Sequence, residues 1–394
     1  MALSDDLVEA TRKAQALEAA VETSEASNRQ LIADLDAARA LVARLEAELA
    51  ACKDAGSDDL LVGISPGVTG SADSIKAMLD GMREVGFRAF RYDVNRAATE
   101  PRKGEYHFDR HRNIAVWCYE REIVPLPMPT YAPPWDRQRT SPKFTDGPSD
   151  LDALEAYGAA FSDAFADVHP SPDEDVAEWW NEADTVHFWT PAPNPERYML
   201  TAYRFQRGRL KSNPKAKLVL SGLAPAPDKA PQINPATFVQ RCYDAVGKGD
   251  LANVRSRFWH GVGFHPYMGG HPPETQAPWS TMGTIWDRIE TTIRSRFTAD
   301  PLPLIYSTEW GYATRDDKVP SKAVTEDEQA DYIIRQIELF RERPIAGPCH
   351  LHRWQDFPHG KYPGIDWYNE TLGIHTSDGK PKKAVAALRE YLNG

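Results

Sequence analysis

Apolar residues recur every seven positions along the first fifty residues. Leu7, Ala14, Val21, Asn28, Leu35, Val42 and Leu49 form one series, and Ala10, Leu17, Ser24, Leu31, Ala38, Leu45 and Cys52 form a second, offset by three. This heptad spacing, uninterrupted by Pro or Gly, predicts a coiled-coil stalk over residues 1–55 that self-associates through residues 7–52 as a dimer or trimer. Asn28 falls on a seam position, where a buried amide fixes register at some cost in stability. The several alanines thin the seam, and a single amphipathic helix folded back on the barrel is the competing arrangement. Lys53-Asp54-Ala55-Gly56-Ser57-Asp58-Asp59 then ends the pattern.

Beyond it the pattern changes to short apolar runs separated by amphipathic stretches, as βα units require. The runs are Leu60–Ser65, Arg88–Tyr92, Ile123–Met128, Val176–Asn181, Leu218–Leu223, Phe258–His265, Leu304–Thr308 and Cys349–Trp354. Eight such runs favour a closed (β/α)8 TIM barrel, an α/β fold, over residues 56–394. The stretches PLPMPTYAPPW, APAPDKAPQINP and HPYMGGHPPE follow the third, fifth and sixth runs. Loops at the carboxyl ends of barrel strands build active sites, so elaborate ones there imply a shaped cleft.

Composition narrows the choice of partner. With 46 basic and 57 acidic residues the net charge is −11, which disfavours nucleic acid and anionic lipid and leaves neutral or cationic partners. Eleven Trp and fifteen Tyr supply flat rings of the kind that stack on sugars, although most serve the core. Cys52, Cys118, Cys242 and Cys349 form no CxxC pair and read as free thiols. The first fifteen residues lack a basic-then-apolar leader, and no apolar run reaches about 18 residues, so neither secretion nor membrane insertion is expected.

The candidate chemistry sits at strand ends. WWNEAD puts Trp179, Trp180, Asn181 and Glu182 at the end of the fourth run, and IYSTEWG puts Glu309 and Trp310 at the end of the seventh. Two carboxyl groups at the top of one barrel can flank a glycosidic bond, one protonating the leaving oxygen while the other attacks the anomeric carbon. Burial beside Trp179 and Trp180 would keep Glu182 protonated, while Arg91 and Tyr267 are candidate donors to an ionised Glu309. His350 and His352 share a strand face and could begin a metal site, but further ligands are not evident, and no metal or cofactor is expected. GxSxG, GxGxxG and GxxxxGK[ST] motifs are absent, which removes serine-hydrolase and phosphate-loop readings.

These motifs carry a resemblance. GFRAFRYDVNR followed by EPRKGEYHFDRHRNIAVWCYEREIVPLPMPTYAPPW, with Arg91, Gly104, Tyr106, Phe108, Tyr131 and Trp135, resembles the clan A glycoside hydrolases, most closely family 39 and related polysaccharide hydrolases. The resemblance covers residues 60–394 and includes the closing ETLGIHTSDGKPKKAVAAL. It implies a retaining mechanism with Glu182 as acid/base after Asn181 and Glu309 as nucleophile. It also implies a sugar site containing Arg91, Asn181, Trp135, His265, Tyr267 and Trp354, and Trp310, beside Glu309, is a further candidate to line the cleft. Asn95-Arg96 departs from the family, whose members tend to carry a Trp after the second strand.

Joining such a barrel to an oligomerising stalk suggests a phage tail-associated depolymerase of host envelope or capsular polysaccharide, held among other tail proteins in the virion; otherwise it is cytoplasmic. The alternative is a non-catalytic glycan-binding or structural tail module that keeps the barrel as scaffold.

Overall fold

The computed structural model describes residues 2–21, 35, 38–40, 60–65, 70–137, 143–254, 256–297, 301–314, 323–360 and 367–394. It divides into two compact units, Met1–Leu60 with Arg341–Pro344, and Leu61–Phe340 with Ile345–Gly394.

In the first unit, α1 (Ala2–Val21) is helical as the heptads predict. Ala14, Leu35 and Ala38 form one apolar cluster with Leu17 against it, and Arg39 pairs with Glu18 at 2.7 Å. Along one straight helix Ala14 and Leu35 would lie about 31 Å apart, so these seam positions meet between two helical passes of the same chain. Asn28 and the remaining seam positions beyond Val21, along with Cys52, lie outside the described residues.

In the second unit eight strands lie parallel: β1 (Val62–Ile64), β2 (Ala89–Asn95), β3 (Val124–Thr130), β4 (Val176–Asn181), β5 (Lys217–Leu223), β6 (Gly261–Phe264), β7 (Leu304–Trp310) and β8 (Ala346–Leu351). Their hydrogen-bonded order is β3-β2-β1-β8-β7-β6-β5-β4, with β3 and β4 lying side by side where the two ends meet. The result is a nearly closed (β/α)8 barrel, as expected. The eighth strand lies three residues earlier than its apolar run suggests, ending at Leu351 instead of Trp354.

The open seam has a cause in the sequence of β3, Val-Pro-Leu-Pro-Met-Pro-Thr. Val124 donates its amide to Arg88 on the β2 side at 2.8 Å. Successive residues of a strand point their amides to opposite neighbours, so Pro125, Pro127 and Pro129 occupy the row that faces β4. A proline has no N–H to give. The missing donors explain why the described residues show no β3–β4 ladder.

The helices between strands are set by ordinary end signals. Ser71 caps α2 (Ala72–Val85) by accepting from Ser74 N at 3.2 Å, and Gly86 ends it at φ 109°, a left-handed conformation natural to glycine. Ile75, Leu79, Met82 and Val85 make its buried stripe. Further round come α3 (Asp109–Tyr119), α4 (Leu151–Phe165), α5 (Pro195–Ser212), α6 (Pro235–Ala245), α7 (Trp286–Arg296), α8 (Glu326–Arg341) and α9 (Lys383–Asn393). Asn194-Pro195 and Asn234-Pro235 open α5 and α6 as cap and first helical residue. Inside the barrel Leu126, Val219 and Tyr306 pack with Val176 and Leu304. Cys118, Cys242 and Cys349 are buried. No helix among the described residues is long and apolar enough to cross a membrane.

Candidate active site

The site is built outward from Arg91. Its strand, β2, points residues 91, 93 and 95 to one face by simple alternation, and the Arg91 side chain is only 2% exposed. A buried guanidinium is tolerated only when its charge and donors are met. Arg91 Nε lies 2.5 Å from Glu178 Oε2, Nη1 lies 2.5 Å from Glu309 Oε1, and Nη2 lies 2.9 Å from Asn181 Oδ1. Ser65 Oγ accepts from Nη1 at 3.2 Å. Burial would lower its pKa, but Glu178 and Glu309 more than reverse this.

Glu309 enters from β7 with a 17% exposed side chain. Tyr267 donates its hydroxyl to Glu309 Oε2 at 3.1 Å. Desolvation by itself would raise the Glu309 pKa, but His265, His352 and Arg91 together hold it well below the usual carboxylate range. Burial in turn drives the His352 pKa down to about 4. At neutral pH His352 is therefore uncharged, and Arg91 and Tyr267 are the groups that bond Glu309 directly and favour its ionised form.

Glu182 enters from the turn after β4, also with 17% of its side chain exposed. Its Oε1 lies 2.9 Å from Nδ1 of the fully buried His265. The backbone here is unusual: Trp180 has φ 72°, Glu182 φ 44° and Tyr131, after β3, φ 60°. Non-glycine residues in this region cost of order 1–3 kcal/mol each and persist only where the surroundings over-determine them. The irregularity breaks strand alternation, letting both Glu178 and Asn181 reach Arg91 from one short strand. Gly222 on β5 completes the arrangement: its N–H donates to Glu178 Oε1 at 2.6 Å and its carbonyl accepts from Glu182 N at 2.8 Å. A Cβ at 222 would stand 2.2 Å from His265 Nε2, so only glycine leaves room for that imidazole.

Ligand atoms of Glu182, His265 and Glu309 lie within 4.8 Å of one another. Such a trio could converge on a metal ion. Here, however, one carboxylate is already bonded to a guanidinium and a phenol and the other to an imidazole, an arrangement suited to proton transfer and nucleophilic attack.

Of the residues expected from sequence, Arg91, Asn181, Glu182, His265, Tyr267 and Glu309 come together. Trp310 does not: it is fully buried with its ring on Phe340 of α8, 5.2 Å between centroids, because the residue after an inward Glu309 must face outward. Trp354 stands beyond the end of β8, its ring 4.2 Å from His375 and against Gly81 of α2. Trp135 is half-buried, donating Nε1 to the Glu100 carbonyl at 3.2 Å under the Arg96 guanidinium. Trp179 faces outward, stacked 4.7 Å from Phe205 of α5, so it does not shield Glu182. Trp180 does belong to an aromatic wall, 5.7 Å from Tyr131.

Glu178, Ser65, Asp93 and the site position of His352 were missed. Glu178 had a signal, since an arginine facing a barrel interior demands a carboxylate, and Asp93 shared the alternation of Arg91.

Compared by sequence, no protein family and no curated protein matches the chain. Compared by structure, it is similar to a family 39 glycoside hydrolase from Bacteroides cellulosilyticus WH2, at 21% identity and TM-score 0.62 over 84% of this chain and 62% of that one. A GH39 enzyme from Xanthomonas axonopodis pv. citri matches at 18% identity and TM-score 0.60 over 84% of this chain and 66% of that one. A monomeric β-xylosidase from Caulobacter crescentus CB15 matches at 17% identity and TM-score 0.62 over 85% and 68%. The chain thus spans less than two thirds of the length of the first two. What it shares with these enzymes is their fold, the (β/α)8 barrel of the family 39 glycoside hydrolases.

Proposed function

We propose that the protein is a retaining glycoside hydrolase that cleaves a polysaccharide by double displacement. The observation that carries this reading is the approach of Glu182 and Glu309, whose carboxylate oxygens lie within 4.8 Å. Retaining enzymes hold their two carboxyl groups about 5–5.5 Å apart, whereas inverting ones leave about 6.5–9.5 Å for a water.

Glu182 gives its proton to the glycosidic oxygen as Glu309 attacks the anomeric carbon, releasing the leaving sugar and forming a glycosyl ester on Glu309. Glu182, now ionised, takes a proton from water. The resulting hydroxide equivalent attacks the anomeric carbon, Glu309 leaves as carboxylate, and Glu182 is again protonated. Arg91 and Tyr267 hold the nucleophile ionised and oriented, and His265 orients the acid.

Release of reducing ends from a panel of envelope polysaccharides tests this. Glu182→Gln should lower the rate about 10²–10⁴-fold, Glu309→Gln by at least as much, and the first-formed anomer should keep the substrate's configuration. Both variants cutting as well as wild type would overturn the two-glutamate mechanism, and all three proteins binding a glycan that none cuts would leave a glycan-binding module instead.

The reading extends to a phage tail-associated depolymerase of host envelope or capsular glycan, supported by the heptads of residues 7–52, which would multiply weak surface contacts through self-association. In one chain Ala14, Leu17, Leu35 and Ala38 already pack together, so a dimer or trimer has to extend or replace that bundle. Sedimentation of the intact chain as a monomer, or its absence from purified virions, would remove this extension while leaving the hydrolase.

A further inference from the structure

The cleft is short of positive charge. Four carboxyl groups, Asp93, Glu178, Glu182 and Glu309, share one guanidinium, Arg91, which is already committed to Glu178 and Glu309, and one imidazole, His265, which is already committed to Glu182. The neighbouring His350 and His352 are held neutral by burial, their pKa values lowered to about 3 and about 4.

Asp93 is the carboxylate with no role so far. It follows Arg91 by two residues on the same face of β2, about 6.6 Å nearer the barrel mouth, and it is exposed where the strand before it is buried. It makes no hydrogen bond or ion pair with any described residue. It is nonetheless enclosed enough that desolvation raises its pKa to about 6, against the pull of Arg91 and with the push of Glu309 and Glu178. Burial raises the pKa of the Tyr131 phenol after β3, and Asp93, Glu182 and Glu309 add to the rise. An open carboxylate standing beside the reacting pair, with a desolvation cost and no partner, is arranged to receive one from the substrate.

Resting on the hydrolase reading above, we propose that Asp93 is a specificity-determining residue that pairs with a free ammonium group on the sugar bound beside Glu309, so that the substrate is a glycan carrying unacetylated amino sugars. A cation suits this cleft better than a neutral hydroxyl because it offsets the surplus of carboxylates. The pairing also serves the chemistry. An unneutralised ammonium near the anomeric carbon would oppose the positive charge that develops there in an oxocarbenium-like transition state, and Asp93 cancels it. The overall charge of −11 favours approach of the same class of polymer.

The test uses the intact chain and one panel of N-acetylated envelope polysaccharides, each assayed before and after alkaline de-N-acetylation. Wild type should release reducing ends from de-N-acetylated polymer at least about ten-fold faster, and Asp93→Asn should lose that preference while still cutting, as removal of one enclosed charge pair predicts. Equal or better cleavage of the acetylated forms, or a preference unchanged by Asp93→Asn, overturns the inference and leaves the hydrolase intact. Calorimetric titration of Glu182→Gln with the same pairs separates the two readings. Tighter binding of the amino form, with no cleavage by wild type, would support the role of Asp93 and sink the hydrolase; binding of neither form would overturn the ammonium site.

Discussion

The two sides of the cleft present the same residue, equally exposed, in opposite company. On the β7 side Glu309 receives a guanidinium and a phenol; on the β4 side Glu182 has one imidazole. Both side chains are 17% exposed, so burial does not distinguish them. Under the proposed hydrolase reading, acid and nucleophile are told apart by their donors, and the donors come from β2 and from the residues just after β6, whose own placement depends on Glu178 and Gly222.

The harshest way to break that asymmetry is Arg91→Met. It leaves Glu178 and Glu309 buried without their cation, which should cost about 3–5 kcal/mol of stability, read as a lowered midpoint in denaturant titration. The sign with pH follows from the lowered Glu309 pKa. Its contribution is fully present above the unfolded carboxylate value and is lost as pH falls through the folded one. Without Arg91 the acid limb of both stability and activity should therefore move to higher pH, and an unmoved limb would show that Arg91 is not what ionises Glu309.

A smaller disturbance tests the other side. Gly222→Ala would press a methyl into His265 and Thr308, and overpacking of this kind costs about 1–3 kcal/mol. Because His265 bonds Glu182 at 2.9 Å and also lies 3.8 Å from Glu309 Oε2, turnover should fall along with stability, and unchanged turnover would show that the placement of this imidazole does not matter to the pair. The gentlest change, Tyr267→Phe, removes one hydrogen bond to Glu309, about 1 kcal/mol. Roughly five-fold slower turnover is expected, with a loss of stability no larger than that one bond; no kinetic change at all would remove Tyr267 from the support of Glu309.

Much of this was legible in the sequence, and the failures have a common physical origin. Strand cores were visible because buried parallel strands are continuous apolar runs, and Glu182 and Glu309 stood out because each follows such a run. Alternation was the information left unused. It places Asp93 with Arg91 and turns Trp310 away from Glu309. The position of β8 was hidden because Gly347 and Pro348 interrupt its apolar run, so that Trp354 was taken for a strand-end residue and His352 went unassigned to the nucleophile. The φ values at Trp180 and Glu182 are set by tertiary contacts and leave no local sequence signature, which is why Glu178 and Asn181 could not both be placed.

The prolines of β3 carry one more consequence. Seven ladders run round the barrel, and at the eighth position, where proline withdraws the donors, Arg91 reaches from β2 across to Glu178 and Asn181 on β4. The guanidinium that pairs with Glu309 is thus also the clasp of the barrel wall. Removing that one side chain would therefore loosen the wall of the barrel and strip Glu309 of its cation together.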